Sequence, residues 1–281
     1  MLPVMSESFK SLFDRDGYVV ARGLFGTAEV DRLRDHYMTV RERGSYEHDL
    51  VGVQPRARDP LRRYPRMAQM HRWDDASLRW LLDARLRDAL VTLAGADPYA
   101  VQSMLYFKPP GSRGQALHQD NFYLRAAPGT CIAAWMALDR CDEANGCLLV
   151  VPGSHRWPLL CTERADTKLS FTDVTVPLPP GQAARPVRVN PGDVLFFTGS
   201  LVHGSAPNTT TDRFRRALIG HYIQGEAERV AQYYHPALRM DGTELTLEVA
   251  EGGGACGEWT ETPDGPVAVL TGTQTITRKH E

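Results

Sequence analysis

Short apolar runs separated by turn residues dominate the sequence after Asp97 and Pro98, and they constrain its fold most. The runs are AVQSMLYFK, CIAAWMAL, CLLVVPG, PVRVNPGDVLFFTG and RRALIGHYI, and proline, glycine and aspartate lie between them. Runs of this length and composition are typical of β-strands. No long helical pattern separates them, as the crossovers of a parallel sheet would require. The pattern therefore predicts a mainly β core, either a sandwich or a barrel.

Helical periodicity marks the N-terminal third of the chain. Residues 8–20 predict a short helix that stops at Gly17 and leads into a strand. The segment from Thr27 predicts a surface helix with Thr27 as its cap. Its apolar face carries Val30, Leu33, Tyr37 and Val40. A further helix is predicted at about 76–94, with a buried side formed by Leu78, Leu82, Leu86, Leu90 and Leu93.

No repeat, low-complexity tract or linker divides the 281 residues, so the sequence predicts a single domain with helices flanking the β core. The N-terminal helices span about 8–95 and the β core about 98–250. Residues 44–75 carry many charges, prolines and tyrosines without a sustained period, which predicts an irregular insertion. The glycine-rich tail, residues 251–281, is expected to be a mobile flap or an edge hairpin.

Charge and cysteine usage exclude several classes of protein. A formal net charge of -2 and a pI near 6.5 give no electrostatic footprint for nucleic acid or an anionic membrane. There is no secretory leader pattern and no apolar run of about 18 residues, so we expect a cytoplasmic protein. The cysteines are odd in number and lack a CxxC pair, which favours buried free thiols over a disulfide framework. They are Cys131, Cys141, Cys147, Cys161 and Cys256.

The chemistry of the chain is concentrated around the tripeptide His118-Gln119-Asp120. In an extended backbone, His118 and Asp120 point to the same side and Gln119 points away. A third ligand must come from elsewhere, and the candidate is His203 in the run PGDVLFFTGSLVHGS. Two histidines and one carboxylate form the facial triad of non-haem Fe(II) oxygenases. An isolated HxD is common by chance, and His203 could instead be a loop histidine packed against Phe196 or Phe197.

Four motifs in order carry a more specific signal than HxD alone. They are LYFKPPG followed by HQDNFY, then WMALDRCDEANGCLLVVPGSHRW, NPGDVLFFTGSLVHGSAPN and FRRALIGHY, and an FxxDGYVVxxGLF segment precedes them. This set resembles the phytanoyl-CoA dioxygenase family of Fe(II)/2-oxoglutarate oxygenases over most of residues 9–224. The resemblance implies a double-stranded β-helix, a jelly-roll core of the cupin type flanked by helices.

The resemblance also implies roles for individual residues. It assigns His118, Asp120 and His203 to the iron. It assigns the far carboxylate of 2-oxoglutarate to an arginine that opens the strand after the second histidine, and here this is Arg215. The spacing is about one residue longer than is usual in the family, so Arg216 or Arg213 could serve instead. Ser205 would donate a hydrogen bond to the same carboxylate, although an ordinary turn serine explains it as well.

Other residues are candidates for lining the pocket. Trp135 matches a family tryptophan near the co-substrate, and a core aromatic residue explains it equally well. Gln102, Met104, Tyr106 and Lys108 alternate along one predicted strand and share a face, which would place Gln102 and Tyr106 at the co-substrate or substrate.

The insertion carries a group of cations that points to an anionic small-molecule substrate, although a solvated loop explains it as well. The group comprises Arg62, Arg63, Arg66, His71 and Arg72. His155 is interpreted as structural, and the Asn145-Gly146 pair as turn chemistry. Nothing in the sequence indicates an oligomeric state.

The implied reaction is hydroxylation of a small molecule with Fe(II), 2-oxoglutarate and O2, which releases succinate and CO2. Related halogenases replace the carboxylate ligand by a small residue, so Asp120 favours hydroxylation. Desaturation, cyclisation and epoxidation use the same ligands and remain alternatives. A non-catalytic cupin-like binding protein would leave the triad without a role. A zinc hydrolase or isomerase would leave Arg215 and Ser205 without one.

Overall fold

The computed structural model describes residues 7–46, 49 and 52–274. Its helices are α1 (Glu7–Asp16), α2 (Thr27–Glu42), α3 (Pro60–Arg63), α4 (Asp75–Leu81), α5 (Ala84–Ala94) and α6 (Asn121–Leu124). Short 3-10 turns lie at Met70–Arg72, Ser154–Arg156 and Gln232–Tyr234. The strands are β1 (Tyr18–Ala21), β2 (Met67–Ala68), β3 (Tyr99–Tyr106), β4 (Gln115–His118), β5 (Cys131–Ala137), β6 (Leu148–Val150), β7 (Glu163–Arg164), β8 (Val174–Thr175), β9 (Arg185–Val187), β10 (Val194–Thr198), β11 (His203–Ser205), β12 (Ala217–Ile223), β13 (Arg229–Val230), β14 (Ala237–Leu238), β15 (Glu244–Leu245), β16 (Glu248–Val249), β17 (Gly254–Thr262) and β18 (Gly265–Gln274).

Two antiparallel sheets form the β core. The larger has the order β1-β10-β5-β12-β3-β14-β15, with β2 paired to β3, and the smaller has the order β4-β11-β6-β9. Strands that are distant in sequence lie side by side in both sheets, as a jelly roll requires. The mainly β core with flanking helices, predicted from the turn-punctuated runs, is confirmed.

Strand β5 shows why this sequence buries both faces of the larger sheet. Its residues are all buried, and from Ile132 onward they alternate between two apolar clusters. Ala133 and Trp135 pack toward the smaller sheet, in a cluster with Leu148 of β6 and Val187 of β9. The alternate residues Ala134 and Met136 pack toward the helices. Period-two alternation of apolar residues therefore places one face of the larger sheet against the helices and the other face toward the smaller sheet.

The helices cover the outer face of the larger sheet, with two local differences from the sequence prediction. Helix α2 is capped by Gly26 and not by Thr27, and the Gly26 N–H donates to the Glu29 carboxylate over 2.9 Å. The single helix predicted at about 76–94 is two helices, α4 and α5. Asp83 interrupts it, because its carboxylate accepts the Arg85 N–H over 2.9 Å and caps α5.

The C-terminal tail forms the hairpin β17–β18, one of the two forms expected, and a disulfide joins it to the core. Cys161 and Cys256 are bonded, and they are 95 positions apart in the sequence. The expectation of free thiols holds for Cys131, Cys141 and Cys147 and is wrong for this pair. Local spacing cannot indicate a bond between distant segments. Here the backbone pairs the segments, since the Cys161 N–H donates to the Gly257 carbonyl over 3.0 Å.

Among the described residues, no helix combines the length and the hydrophobicity that crossing a bilayer requires. The cytoplasmic location stays a prediction.

Candidate active site

Neighbouring strands bring the two histidines of the predicted triad together. His118 ends β4 and His203 begins β11, and the two residues are register partners in the smaller sheet. Their ring centroids lie 4.2 Å apart. Asp120 follows with helical dihedrals, φ -62° and ψ -33°, at the start of α6. The extended conformation predicted for residues 118–120 is therefore wrong at Asp120, although its carboxylate still turns toward the rings.

Gln119 points away from the rings, as predicted, and anchors the tripeptide. The side chain is buried, and its amide donates to the carbonyls of Pro158 over 3.1 Å and Ser200 over 2.8 Å. Its carbonyl accepts the Leu160 N–H over 2.8 Å. Three hydrogen bonds thus fix the residue between the two candidate ligands, which limits how far either can move.

The side chains of His118, Asp120 and His203 offer three ligand atoms within 4.8 Å of one another. The Asp120 Oδ1 atom lies 3.4 Å from the Nε2 atom of His118 and 3.6 Å from that of His203. Three donors at these separations can surround a single metal ion. Two imidazoles and one carboxylate suit Fe(II) and leave coordination positions open for other ligands.

Backbone carbonyls determine which nitrogen each ring presents to the metal. The Nδ1 atom of His118 lies 2.9 Å from the Ala116 carbonyl, and that of His203 lies 3.0 Å from the Leu201 carbonyl. A carbonyl only accepts, so Nδ1 carries the hydrogen in both rings and Nε2 carries the lone pair. The Nε2 atom of His118 accepts a hydrogen bond from the Gln115 side-chain amide over 3.1 Å, a contact that a bound metal would replace. Burial lowers the pKa of His203 to about 4, which keeps this ring neutral at pH 7.

The second oxygen of Asp120 contacts a histidine that the sequence analysis did not single out. His221 lies on β12 and is buried, and its Nε2 atom is 3.1 Å from Asp120 Oδ2. A carboxylate accepts, so the His221 N–H donates. Asp120 therefore turns Oδ1 toward the triad while Oδ2 is held by His221. Such partners of a ligand carboxylate fix its orientation.

The other end of the site contains Arg215. Its side chain is buried, its Nε atom donates to the Gly146 carbonyl over 3.1 Å, and its guanidinium lies 5.3 Å from the centre of the Trp135 ring. The alternatives are engaged elsewhere. Arg213 pairs with Asp142 over 2.8 Å, and Arg216 pairs with Asp139 over 2.7 Å. Of the three arginines weighed from the spacing, Arg215 is the one that lines the cavity.

Ser205 lies beside Arg215 at the same end and contacts a buried lysine. The Lys108 Nζ atom donates to Ser205 Oγ over 2.8 Å. The Gln115 N–H donates to the same oxygen over 3.2 Å. Lys108 belongs to the alternating set noted on β3, but it follows the end of that strand.

A cavity of about 420 Å³ connects the two ends. Its lining includes Gln102, Met104 and Tyr106, which were predicted to share one strand face, and Trp135, which was predicted to lie near the co-substrate. Aromatic side chains surround the rest of the cavity, among them Tyr64, Tyr123, Phe171, Tyr233 and Tyr234. The lining therefore combines polar and charged groups with a large aromatic surface.

The cations of the insertion divide into two groups. Arg62 and Arg66 line the cavity, and the Arg66 guanidinium donates to the Tyr106 hydroxyl over 3.3 Å. The others support the fold. The His71 Nδ1 atom lies 2.9 Å from the Ser103 hydroxyl, Arg72 donates to the His235 carbonyl over 2.8 Å, and Arg63 donates to that of Ala57 over 3.1 Å.

His155 has the structural role expected of it. Its Nε2 atom lies 3.2 Å from the Asp14 carbonyl, and its ring fills the space that a side chain at Gly17 would need.

A signal for His221 was present in the sequence. Strand β12 follows Arg215, and every second residue of this stretch faces the cavity side, from Arg215 through Ala217 and Ile219 to His221. Period-two counting from the predicted arginine would therefore have placed His221 in the site.

Residues 13–217 match the family model of phytanoyl-CoA dioxygenase (PhyH). Phytanoyl-CoA dioxygenase 1 of Oryza sativa subsp. japonica is 32% identical over 161 residues, which cover 56% of each chain. The chain thus spans little more than half the length of that relative. The probable phytanoyl-CoA dioxygenase of Caenorhabditis elegans is 26% identical over 241 residues, 79% of this chain and 77% of the relative.

Solved structures share the fold. EctD from S. alaskensis, solved with 2-oxoglutarate and 5-hydroxyectoine, is 24% identical, with a TM-score of 0.60 over 78% of this chain and 76% of that chain. The epimerase SnoN, solved with Fe3+, alpha ketoglutarate and nogalamycin RO, is 22% identical, with a TM-score of 0.61 over 79% of this chain and 84% of that chain. The predicted jelly-roll fold is confirmed.

Proposed function

This chain belongs to the phytanoyl-CoA dioxygenase family, and we propose that it is an Fe(II)- and 2-oxoglutarate-dependent oxygenase that hydroxylates a small molecule. One observation carries the proposal. A single cavity has a two-histidine, one-carboxylate cluster at one end and a buried arginine beside a serine hydroxyl at the other. A metal-chelating 2-oxo acid with a distal carboxylate matches both ends. A zinc hydrolase would leave the arginine end without a role, and a passive binding protein would leave the two-histidine, one-carboxylate cluster without one.

His118, Asp120 and His203 would hold the iron. Bound Fe(II) supplies the oxidising chemistry with O2 and 2-oxoglutarate, which leaves as succinate and CO2. The protein supplies orientation. The Arg215 guanidinium would pair with the distal carboxylate, because its planar fork matches the two carboxylate oxygens. The Trp135 ring beneath it limits its movement. The buried aromatic lining would exclude water from the reacting C–H bond.

Asp120 supports hydroxylation over halogenation, since a carboxylate ligand occupies the position that a halide would need. Product analysis distinguishes hydroxylation from the other outcomes. Hydroxylation adds one oxygen atom as a hydroxyl group, whereas desaturation or cyclisation removes two hydrogens. Epoxidation of an alkene also adds one oxygen atom but leaves no new hydroxyl group.

The proposal is tested first by binding. Purified protein is mixed with Fe(II) and 2-oxoglutarate under anaerobic conditions, and the visible absorption spectrum is recorded. We expect a weak metal-to-ligand charge-transfer band that disappears in an Asp120→Ala variant. A metabolite screen read out by succinate formation then identifies substrates. Wild-type protein that holds Fe(II) but gives no such band with 2-oxoglutarate would rule the proposal out.

We further propose that the substrate carries an anionic group that binds near Arg66. The Arg66 side chain lines the cavity, and its guanidinium donates a hydrogen bond to the Tyr106 hydroxyl. Arg113 also lines the cavity but is paired with Asp59 over 2.8 Å. A guanidinium that faces a cavity beside a neutral partner is suited to a carboxylate or phosphate of a ligand.

The test compares pairs of anionic and neutral analogues once a substrate class is found. An Arg66→Met variant should raise the KM for the anionic member about tenfold and leave that for the neutral member unchanged. The control is Arg87→Met, which removes an exposed ion pair with Asp97. Equal changes for both analogues would contradict an anionic contact at Arg66.

A further inference from the structure

Lys108 is held in a conformation that lysine seldom adopts. Its φ is 39°, in the left-handed region, and its side chain is 3% exposed. The backbone around it is tied down, since its carbonyl accepts the Arg215 N–H over 3.1 Å and the Asn208 amide over 3.1 Å. Residues in such regions persist where surrounding contacts over-determine them, and they cluster at functional sites.

Gly146 leaves the space that this lysine occupies. A Cβ atom at Gly146 would lie 2.6 Å from the Lys108 Cε atom, and Gly146 itself has a φ of 75°. The turn that the sequence analysis interpreted as a structural Asn-Gly pair therefore also makes room for Lys108. The same glycine offers its carbonyl to Arg215. One turn thus accommodates two cationic side chains.

Lys108 and Arg215 form a pair of buried cations. Within the described part of the chain, neither forms an ion pair with a carboxylate. Burial and the neighbouring Arg215 charge lower the pKa of Lys108 well below its usual range, so its charged form is costly until an anion lies beside the pair. Burying a charge is costly unless an opposite charge compensates it. The pair therefore favours an anion from outside the chain at this end of the cavity.

Lys108 also affects how the Ser205 hydroxyl can form hydrogen bonds. A hydroxyl oxygen has two lone pairs and one hydrogen. The Lys108 ammonium and the Gln115 N–H both donate to Ser205 Oγ, over 2.8 Å and 3.2 Å. With both acceptor positions used, the Ser205 hydroxyl can act only as a donor to a further group. Ser205 lines the cavity, so a bound ligand can receive that hydrogen bond.

We propose that Lys108 is a positioning residue for the co-substrate: its ammonium makes Ser205 a donor to the distal carboxylate and adds a second positive charge beside Arg215. The inference rests on the proposed 2-oxoglutarate dependence. It differs from a space-filling role, in which any side chain of similar volume would serve.

The experiment measures binding to protein loaded with Mn(II), a redox-inert substitute for Fe(II), by anaerobic calorimetric titration. Two ligands are compared, namely 2-oxoglutarate and 2-oxobutanoate, which lacks the distal carboxylate. Lys108→Met keeps the volume and removes the charge. We expect it to weaken 2-oxoglutarate binding about tenfold to a hundredfold. Binding of Mn(II) and of 2-oxobutanoate should stay within about twofold of wild type.

Three controls separate the interpretations. Lys168→Met removes an exposed lysine and should change none of these constants. In a Ser205→Ala background, Lys108→Met should have a smaller effect than in wild type, because part of its action passes through Ser205. Lys108→Gln, which keeps a donor without the charge, should give an intermediate loss and replaces the Met variant if that variant does not fold.

Unchanged 2-oxoglutarate affinity in Lys108→Met would overturn the proposal, as would an equal loss for both ligands, which would indicate a structural role. Wild-type protein that binds Mn(II) but not 2-oxoglutarate would instead refute the proposed function. The two failures are therefore distinguishable.

Discussion

At one end of the cavity a carboxylate lies among imidazole rings, and at the other end two cations lie among hydroxyl and carbonyl groups. Asp120 is within 3.6 Å of ring nitrogens from His118, His203 and His221. Arg215 and Lys108 instead contact the Gly146 carbonyl and a serine hydroxyl. The first end is therefore suited to binding a cation and the second to binding an anion. In each case the ligand would bring the charge that balances the side chains around it.

The two ends also differ in how they are held. At the metal end, carbonyls two residues before each histidine hold the ring in place. That end is held in place by hydrogen bonds to its own backbone. At the other end the charges are uncompensated, and an anionic ligand would contribute the missing interaction. Variants at the two ends should therefore have separable effects on metal and co-substrate binding.

The largest effect is expected at the metal end. Asp120→Ala removes the one carboxylate of the cluster and leaves two imidazoles, so metal affinity and turnover should fall by about a thousandfold or more. Metal binding is measured by Mn(II) titration and turnover by succinate formation. Asp97→Asn, at an exposed ion pair, is the control. If the Ala variant still binds one equivalent of metal, Asp120 is not a metal ligand.

Arg215→Met tests the opposite end and should leave metal affinity unchanged. Loss of a buried, charged contact should raise the 2-oxoglutarate Kd about a hundredfold. Arg213→Met should change it less than about twofold, because Arg213 is paired with Asp142 near the surface and does not line the cavity. The pairing of Arg213 with Asp142 makes this a matched control. The opposite result, with Arg213 sensitive and Arg215 silent, would contradict the register inferred for this strand.

His221→Ala examines whether the orientation of Asp120 matters as well as its charge. The variant removes the donor to Oδ2, and such losses weaken metal binding by about tenfold to a hundredfold. The effect should appear in the Mn(II) Kd and not in the 2-oxoglutarate Kd of metal-saturated protein. The control is His155→Gln, at a histidine of the 3-10 turn Ser154–Arg156 that contacts the Asp14 carbonyl of α1. A change in the 2-oxoglutarate Kd alone would contradict the proposal that His221 acts by orienting Asp120.

The smallest effect is expected at His71, a buried histidine outside the cavity. It concerns the pH dependence of the free energy of unfolding and serves as a reference for variants at the two ends of the cavity. Burial, with a smaller contribution from Arg72, lowers the pKa of His71 from 6.5 to about 4. The unfolded chain therefore binds the proton first as pH falls, so stability is complete above pH 6.5 and declines toward pH 4. Between pH 6.5 and 5 the loss should be about 1.5 kcal/mol.

Denaturant unfolding of metal-loaded protein measures this loss. His71→Asn should flatten the pH dependence by that amount. A variant with the wild-type slope would mean that the rings at the metal end, and not His71, control the response to acid.

The sequence indicated the metal end more completely than the co-substrate end, for physical reasons. Two ligands lie two residues apart in one tripeptide, and the third follows a turn-rich run. Arg215 was ambiguous because spacing does not show that Asp142 and Asp139 engage its neighbours. Those partners are visible only once the strands are paired.

Other features depended on tertiary contacts that no local pattern records. The helical dihedrals at Asp120 follow from the start of α6, and the break at Asp83 follows from a side-chain cap. His221 was within reach of a period-two count from Arg215, but Lys108 acquires its role only through contact with Ser205. Local pattern thus predicted the strands and the ligands, while the partners of these residues required the fold.

The Cys161–Cys256 bond has a practical consequence for handling the protein. Ferrous iron is kept reduced during aerobic assays by an added reductant, and a thiol reagent also opens disulfides by exchange. The loop that carries Cys161 includes Leu160, whose N–H is bound by Gln119. The choice of reagent therefore acts on the hairpin and, through that loop, on the neighbourhood of the ligands. Ascorbate and thiols should be treated as different conditions for this protein, and free-thiol counting would identify which form of the hairpin an assay contains.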